Sequence, residues 1–104
     1  MKIYIAGKIS GDGNYKEKFK SYAEPFEKKG AIILNPAELP EGMSHADYMS
    51  ICIPMIYAAD LVIFLPDWED SAGAMVEFGL SHYIGKTIIE ITPSGEGEEY
   101  ATDD

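Results

Sequence analysis

The chain is poor in the residues that build cross-links and metal centres. It has 104 residues and a single cysteine, Cys52, which excludes an internal disulfide and a cysteine-based zinc cluster. The two histidines, His45 and His82, lack a spacing with acidic residues that would put ligands on one helical face. We therefore expect no dedicated metal site and no cofactor, and we interpret Cys52 as a core residue.

Basic residues are also scarce. Eight lysines and arginines stand against 18 aspartates and glutamates, which gives a net charge of −10. Such a surface repels a nucleic-acid backbone and an anionic membrane, so neither polymeric nucleic acid nor a membrane is an expected partner. A small anion remains compatible, because backbone N–H groups and one lysine can form a local anion site.

Long apolar runs are missing as well. No run approaches the roughly 18 residues needed to span a bilayer, and the first residues form a strand pattern instead of a signal peptide, so we expect a cytoplasmic protein. The length fits one domain. We assign it to residues 1–92. Residues 93–104 are rich in Gly, Glu and Asp and are predicted to be a mobile acidic tail.

What remains is an alternation of strand and helix patterns. Strands are predicted over residues 2–6, 31–34, 61–65 and 87–92. Helices are predicted over residues 15–29, from a capping box at Ser44 and Asp47, and from the low seventies to about residue 84. The alternation indicates an α/β fold, flavodoxin-like or Rossmann-like, with a parallel sheet of four or five strands and helices on both faces.

Residues 65–77, which we call the central motif, connect the third strand to the last helix. They read Leu-Pro-Asp-Trp-Glu-Asp-Ser-Ala-Gly-Ala-Met-Val-Glu. In an open parallel sheet, ligands bind at such strand-to-helix crossovers. A helical stripe predicted to face the core follows: Ala72, Met75, Val76, Gly79, Leu80 and Tyr83.

Glu77 lies off that stripe. Its neighbours one turn back, Gly73 and Ala74, leave the helix surface beside its carboxylate almost bare, which provides room for a ligand. An ordinary solvated glutamate on a helix that packs closely on its sheet fits the same pattern.

A second candidate is the loop of residues 7–14, which we call the glycine loop. It holds three glycines with Lys8 and Ser10 between the first strand and the first helix. Glycine lets main-chain N–H groups approach a phosphate closely. The spacing matches neither the Walker nor the Rossmann fingerprint, so a flexible surface turn is the alternative.

The central motif resembles the nucleoside 2-deoxyribosyltransferase superfamily, in its short branch of about a hundred residues. The similarity rests on Leu-Pro-x-Trp-Glu-x-Ser-x-Gly-Ala-x-x-Glu after an apolar strand, and it extends over residues 2–91. The arrangement of Tyr4, Gly7, Ile9 and Gly11 is similar to the first loop of the 2'-deoxynucleoside 5'-monophosphate N-glycosidases. The resemblance implies a nucleotide or nucleoside ligand and a homodimer or larger homo-oligomer.

The resemblance also implies roles for individual residues. Glu77 would be the nucleophile that attacks the anomeric carbon. The glycine loop would hold the sugar and the 5'-phosphate, with Lys8 and Ser10 as phosphate partners. The remaining residues that the resemblance suggests for substrate binding are Tyr4, Gly7, Ile9, Gly11, Ser71 and Gly73. Ser94 would reach the site of a neighbouring subunit.

Cleavage of an N-glycosidic bond also requires an acid to protonate the departing base. Asp67, Glu69 and Asp70 are the candidates, provided that crowding of like charges raises one of their pKa values. The same acidic run is also typical of a solvated turn. Trp68 is predicted either to stack on the base or to cover the core.

One departure from the family pattern concerns Cys52. Relatives usually place an aspartate eight residues before the position of Asp60, where this chain has Cys52. The leading hypothesis is hydrolysis of deoxynucleoside 5'-monophosphates. A nucleoside 2-deoxyribosyltransferase is the first alternative, and a non-catalytic nucleotide-binding or sensing module is the second.

Overall fold

The structure, a computed structural model, describes residues 1–99. Its centre is a five-stranded sheet in the order β2-β1-β3-β4-β5. The strands are β1 (Lys2–Ala6), β2 (Ile32–Leu34), β3 (Leu61–Phe64), β4 (Thr87–Ile91) and β5 (Gly97–Glu99). The first four are mutually parallel, and β5 runs antiparallel to β4. The predicted flavodoxin-like α/β class is confirmed.

Three α-helices cross between the parallel strands: α1 (Tyr15–Lys28), α2 (His45–Ala58) and α3 (Ala72–Tyr83). Short 3-10 turns occupy Pro36–Glu38 and Trp68–Asp70. The capping box that starts α2 is confirmed, because the Ser44 hydroxyl accepts from the Asp47 N–H while the Asp47 carboxylate accepts from the Ser44 N–H.

The sheet separates two apolar cores. Alternate residues of β1 point to opposite faces, so Ile3 and Ile5 pack with α1, whereas Tyr4 and Ala6 pack with α2 and the inner side of α3. The strand order changes direction between β1 and β3. The loops that leave the carboxyl ends of these two strands are the glycine loop and the central motif, so the fold brings both to the switch point where such sheets bind ligands.

The structure corrects the orientation predicted for α3. The face it buries carries Ala74, Glu77 and Ser81. Met75, Val76 and Tyr83, which were predicted to face the core, are exposed. Small side chains let α3 lie close to the sheet, and the cost is that most of its large apolar side chains point outward.

The segment predicted to be an acidic tail contains a short strand, and its mobility stays a prediction. Gly97–Glu99 pairs with β4 although its sequence, Gly-Glu-Glu, lacks the apolar alternation of a strand. The rest of the predicted tail, residues 100–104, lies outside the described residues.

Candidate active site

A cavity of about 740 Å³ opens at the switch point. Three segments supply most of its lining. They are the glycine loop, the chain from the 3-10 turn at Pro36–Glu38 to the middle of α2, and the start of α3. The predicted site residues among its lining are Tyr4, Gly7, Lys8, Ile9, Ser10, Gly11, Asp70, Ser71, Gly73 and Glu77. The glycine loop and the central motif therefore share one cavity.

The side chain of Glu77 lines this cavity. It is held by the first turns of α3 and is 7% exposed. The hydroxyl of Tyr4, which β1 supplies from the sheet below, donates a hydrogen bond of 2.5 Å to Glu77 Oε2. In the described part of the chain no lysine forms a salt bridge with Glu77. The carboxyl thus has one neutral partner and an open cavity beside it.

This environment raises the pKa values of both Glu77 and Tyr4. Burial raises the pKa of Glu77 to about 7, although the hydrogen bond from Tyr4 acts in the opposite direction. Burial, together with the negative charge of Glu77, raises the pKa of Tyr4 well above its usual value, so the phenol remains a donor. Near neutral pH, Glu77 is divided between its carboxylate and its acid form.

Cys52, a residue of α2, interacts with both Tyr4 and Glu77. Its side chain is buried and lines the cavity. Burial raises the pKa of the Cys52 thiol, against the effect of its hydrogen bond with Tyr4, so the thiol stays neutral. The interpretation of Cys52 as a plain core residue is therefore incomplete, because it contacts both the core and the cavity.

Asp67 lies in an ion pair outside the cavity lining, and its role as an acid stays a prediction. Its carboxylate is 2.5 Å from the ammonium group of Lys18, which also contacts Asp12 at 2.5 Å and donates to the carbonyl of Lys8 at 2.7 Å. The Lys8 N–H donates to the other Asp67 oxygen at 3.1 Å. Asp67 is not among the cavity-lining residues. It ties the glycine loop to the central motif, and of the three acids proposed to protonate the base only Asp70 lines the cavity.

Gly7 explains why this junction is tight. A Cβ added at Gly7 would lie 3.0 Å from Leu65 Cβ and 3.2 Å from the Asp67 carboxylate. Any larger residue would push the glycine loop away from the central motif. Further along the loop, Gly11 has φ +80°, a conformation that side chains disfavour.

Trp68 is partly buried, packs against the core and is not among the cavity-lining residues. Its indole stacks on Phe78 with ring centres 4.3 Å apart and planes 8° apart, and its Nε1 donates to Glu90 at 3.2 Å. Of the two predictions made for Trp68, the structure fits the one in which it covers the core.

Ser94 lies outside this cavity, and its hydroxyl forms a hydrogen bond of 2.8 Å with the hydroxyl of Thr92. Its role at a neighbouring subunit's site stays a prediction.

The sequence analysis missed much of the opposite wall. The residues of this wall are Tyr15, Leu39, Glu41, Met43, His45, Tyr48 and Met49. The Tyr48 hydroxyl donates to the Pro40 carbonyl at 2.7 Å and fixes the loop before α2. The position of residues 37–43 after the second strand did predict that this loop lies on the ligand side, but it did not identify the individual side chains.

The described residues show neither a metal-ligand cluster nor a membrane-spanning helix. Within residues 1–99, no three histidine, cysteine, aspartate or glutamate side chains are grouped closely enough to hold a metal ion. None of the helices that the structure describes has the length and apolarity to cross a membrane.

Fold and cavity together define a class of protein: an α/β domain with the architecture of the 2-deoxyribosyltransferases. The solved 2-desoxiribosyltransferase from Leishmania mexicana matches with a TM-score of 0.71 and 22% identity, over 88% of this chain and 63% of that one. The 2-deoxyribosyltransferase of Bacillus psychrosaccharolyticus matches with a TM-score of 0.67 and 20% identity, over 92% and 75%. A conserved protein of Enterococcus faecalis matches with a TM-score of 0.69 and 19% identity, over 86% and 62%.

The chain belongs to the family described as Domain of unknown function (DUF4406), whose model matches residues 1–90. No curated protein matches it in sequence. At 19–22% identity the solved structures establish the fold of this chain, which is the fold that the resemblance predicted. The chain spans only 63% of the length of the Leishmania protein.

Proposed function

We propose that this protein cleaves the N-glycosidic bond of 2'-deoxynucleoside 5'-monophosphates, with Glu77 as the nucleophile. The observation that carries the proposal is the placement of Glu77. Its side chain is 7% exposed, lines the cavity together with the glycine loop, and accepts a hydrogen bond from the Tyr4 hydroxyl. The fold shared with two 2-deoxyribosyltransferases supports this type of chemistry.

The reaction begins with the carboxylate form of Glu77. One oxygen attacks the anomeric carbon, the bond from that carbon to the base nitrogen breaks, and a glycosyl ester forms. Asp70 is the acid proposed to protonate the departing base. Water then attacks the same carbon and gives its proton to the Asp70 carboxylate, the bond from that carbon to Glu77 breaks, and deoxyribose 5-phosphate leaves with the Glu77 carboxylate restored. Tyr4 is a positioning residue, because its hydroxyl orients Glu77 and stabilises the ionised form.

The preference for a phosphate rests on the glycine loop. Lys18 is held by two carboxylates and a carbonyl. Lys8 lines the cavity with Ser10, and its Nζ forms no salt bridge with any residue from 1 to 99. The start of α3 opens on the same cavity at Ser71 and Gly73, and the N–H groups and dipole of a helix N-terminus attract an anion. Together these groups can hold a phosphate in a protein of net charge −10.

The test is release of free base, measured by chromatography, from a panel of deoxynucleotides and deoxynucleosides. Wild type is compared with Glu77→Gln, which keeps the shape and removes the charge. The control is Glu17→Gln, at an exposed glutamate outside the cavity. We expect the Glu77 variant to lose at least about a thousandfold in rate, in line with the loss of a nucleophile. Base release that survives in Glu77→Gln would contradict the assigned role.

A second candidate function is deoxyribosyl transfer, which is favoured by the two transferases among the structural matches. In that reaction a second base, instead of water, resolves the glycosyl ester. Transfer is recognised by a new nucleoside that forms only when a different free base is added.

A non-catalytic binding module is favoured by the Cys52 position, where the resemblance leads us to expect an aspartate. If deoxynucleotides raise the melting temperature but no base is released, only the non-catalytic binding module remains.

A further inference from the structure

One wall of the cavity has no role in the proposed reaction. In that reaction the glycine loop and the start of α3 hold the phosphate, and Glu77 lies at the anomeric carbon. The wall that remains belongs to residues 36–49, from the 3-10 turn after β2 to the first half of α2, and we call it the α2 wall. The base is the part of the nucleotide left without a partner, so it falls at the α2 wall.

Apolar side chains supply most of the α2 wall. They are Pro36, Leu39, Met43 and Met49, joined by the ring of Tyr48. Pro36 is buried and the other four are half-buried, so each packs into the fold on one side and lines the cavity on the other. Methionine side chains are unbranched and adapt to the shape of an apolar ligand. The α2 wall is therefore suited to an apolar group of variable shape.

Met49 brings this apolar surface next to the reacting group. Its Cε lies 3.8 Å from the position that a Cβ would take at Gly73. Gly73 precedes Glu77 by one helical turn, so Met49 reaches from α2 to the helix that carries the proposed nucleophile. The α2 wall therefore borders the place where the bond to the base would break.

The polar groups of the α2 wall are largely engaged. The Tyr48 hydroxyl donates to a backbone carbonyl at 2.7 Å and accepts from the Met43 N–H at 3.4 Å. The Glu41 carboxylate is paired with Lys16 at 3.0 Å. The exposed imidazole of His45 is left to meet the several donors and acceptors on the edge of an ordinary base. An unmodified base would lose water here and regain few hydrogen bonds, which costs free energy.

We propose that the α2 wall selects nucleotides whose base carries an apolar substituent, such as an alkyl group on an exocyclic nitrogen, over nucleotides with an unmodified base. This inference rests on the proposed function, because that function places the base at the α2 wall. The alkyl group replaces a polar N–H of the base with apolar surface, and its burial against methionine and leucine is favourable. A cavity of about 740 Å³ lies in the range that encloses ligands larger than a plain nucleotide.

The test is binding measured by calorimetry with Glu77→Gln, which lacks the proposed nucleophile, so affinity is read without turnover. The ligands are dAMP and its N6-methyl, N6-propyl and N6-hydroxyethyl derivatives. Each buried CH₂ group is worth roughly fourfold in affinity, so the propyl compound should bind at least about tenfold more tightly than dAMP. The hydroxyethyl group has as many heavy atoms as propyl but buries a hydroxyl, so it should bind at least about fivefold more weakly than propyl.

Variants of the α2 wall show whether these side chains carry the preference. Met49→Gln, combined with Glu77→Gln, keeps the length of the side chain and replaces its apolar end with an amide, so it should remove most of the gain from the propyl group. Met43→Gln is a second variant of the wall with the same expected result. The matched control is Met75→Gln, at a 48% exposed methionine outside the cavity, and it should keep the full gain. Circular dichroism establishes that each variant is folded.

Base release by the wild type separates this inference from the proposed function. If affinity rises with the alkyl group and depends on Met49, but no base is released, the glycosidic reaction is contradicted and the selectivity of the α2 wall stands. If base is released from dAMP and the propyl group improves neither affinity nor kcat/KM, the reaction stands and the selectivity is overturned. Equal affinity for the propyl and hydroxyethyl compounds, or a gain that both wall variants retain, also overturns it. No binding of any compound at about 1 mM overturns both.

Discussion

Two carboxylates of the central motif, Asp67 and Glu77, have opposite surroundings. Asp67 is paired with Lys18 at 2.5 Å and accepts from a backbone N–H, so its charge is matched. Glu77 is more deeply buried, and among residues 1–99 it has no cationic partner, only the phenol of Tyr4. The first arrangement stabilises a junction between two loops. The second leaves a carboxyl unstable as an ion and open to a ligand, which is how reactive carboxylates are built.

Stability should therefore respond in opposite directions when each charge is removed. For Glu77 the folded-state pKa of about 7 lies above the value of 4.5 for an exposed glutamate, so ionisation opposes folding. The penalty is absent below pH 4.5, grows between pH 4.5 and 7, and is complete above pH 7. Glu77→Gln should raise the free energy of unfolding at pH 8 by roughly 3 kcal/mol and change it little at pH 4.

Denaturant unfolding of the wild type and the Glu77→Gln variant at the two pH values measures this difference. A Glu77→Gln protein that is equally stable or less stable at pH 8 would mean that water or another group already compensates the carboxylate in the folded state.

Asp67→Asn should give the opposite sign. It removes the negative partner of Lys18 but keeps the size of the side chain and an oxygen for the Lys8 N–H. The site is partly buried, between the exposed pairs that contribute little and the buried pairs whose disruption is costly, so we expect a loss of about 2 kcal/mol. The same denaturant experiment measures it. Glu41→Gln, which breaks the exposed pair with Lys16, is the control and should cause little change.

Sequence and structure agree best where one local signal determines the outcome. The span of β1, residues 2–6, is predicted without error, because an apolar strand pattern stops at Gly7. The capping box of α2 is equally local, since Ser44 and Asp47 satisfy each other. The glycine loop and the central motif were placed at one edge of the sheet, because loops after neighbouring parallel strands leave on the same side.

The errors arise where the partner is distant in sequence. The periodicity of α3 identifies an apolar stripe, but periodicity alone does not show whether a stripe is buried or exposed, so the wrong face was assigned to the interior. Lys18 gave no signal, because its partners Asp12 and Asp67 are brought together only by the fold. β5 was missed because pairing with β4, and not its own composition, makes it a strand.

Catalysis should depend on Tyr4 through the state of Glu77. The Tyr4 hydrogen bond lowers the pKa of Glu77, so Tyr4→Phe should raise that pKa further. If the carboxylate is the nucleophile, the rate of base release rises as pH passes through about 7 in the wild type, and the rise should move to higher pH in Tyr4→Phe. We expect kcat at neutral pH to fall about tenfold, or about 1.4 kcal/mol.

The measurement for Tyr4 is a full pH profile of kcat and kcat/KM, because a merely structural defect would lower the rate without moving the profile. Tyr15→Phe removes a hydroxyl from another tyrosine that lines the cavity and should leave the acidic limb in place. If the limb of Tyr4→Phe coincides with that of the wild type, Tyr4 does not set the ionisation of Glu77.

The smallest effect is expected at Cys52. Burial raises the pKa of its thiol, so the group beside Tyr4 is neutral, and a serine hydroxyl offers the same kind of hydrogen bond. Cys52→Ser should change kcat by less than about threefold, or about 0.6 kcal/mol. Cys52→Asp would instead put a second carboxyl next to Glu77, and repulsion between like charges should move the acidic limb of the pH profile upward. A large loss of rate in Cys52→Ser, with the limb unmoved, would mean that the thiol itself takes part in the reaction and that Glu77 does not act with Tyr4 alone.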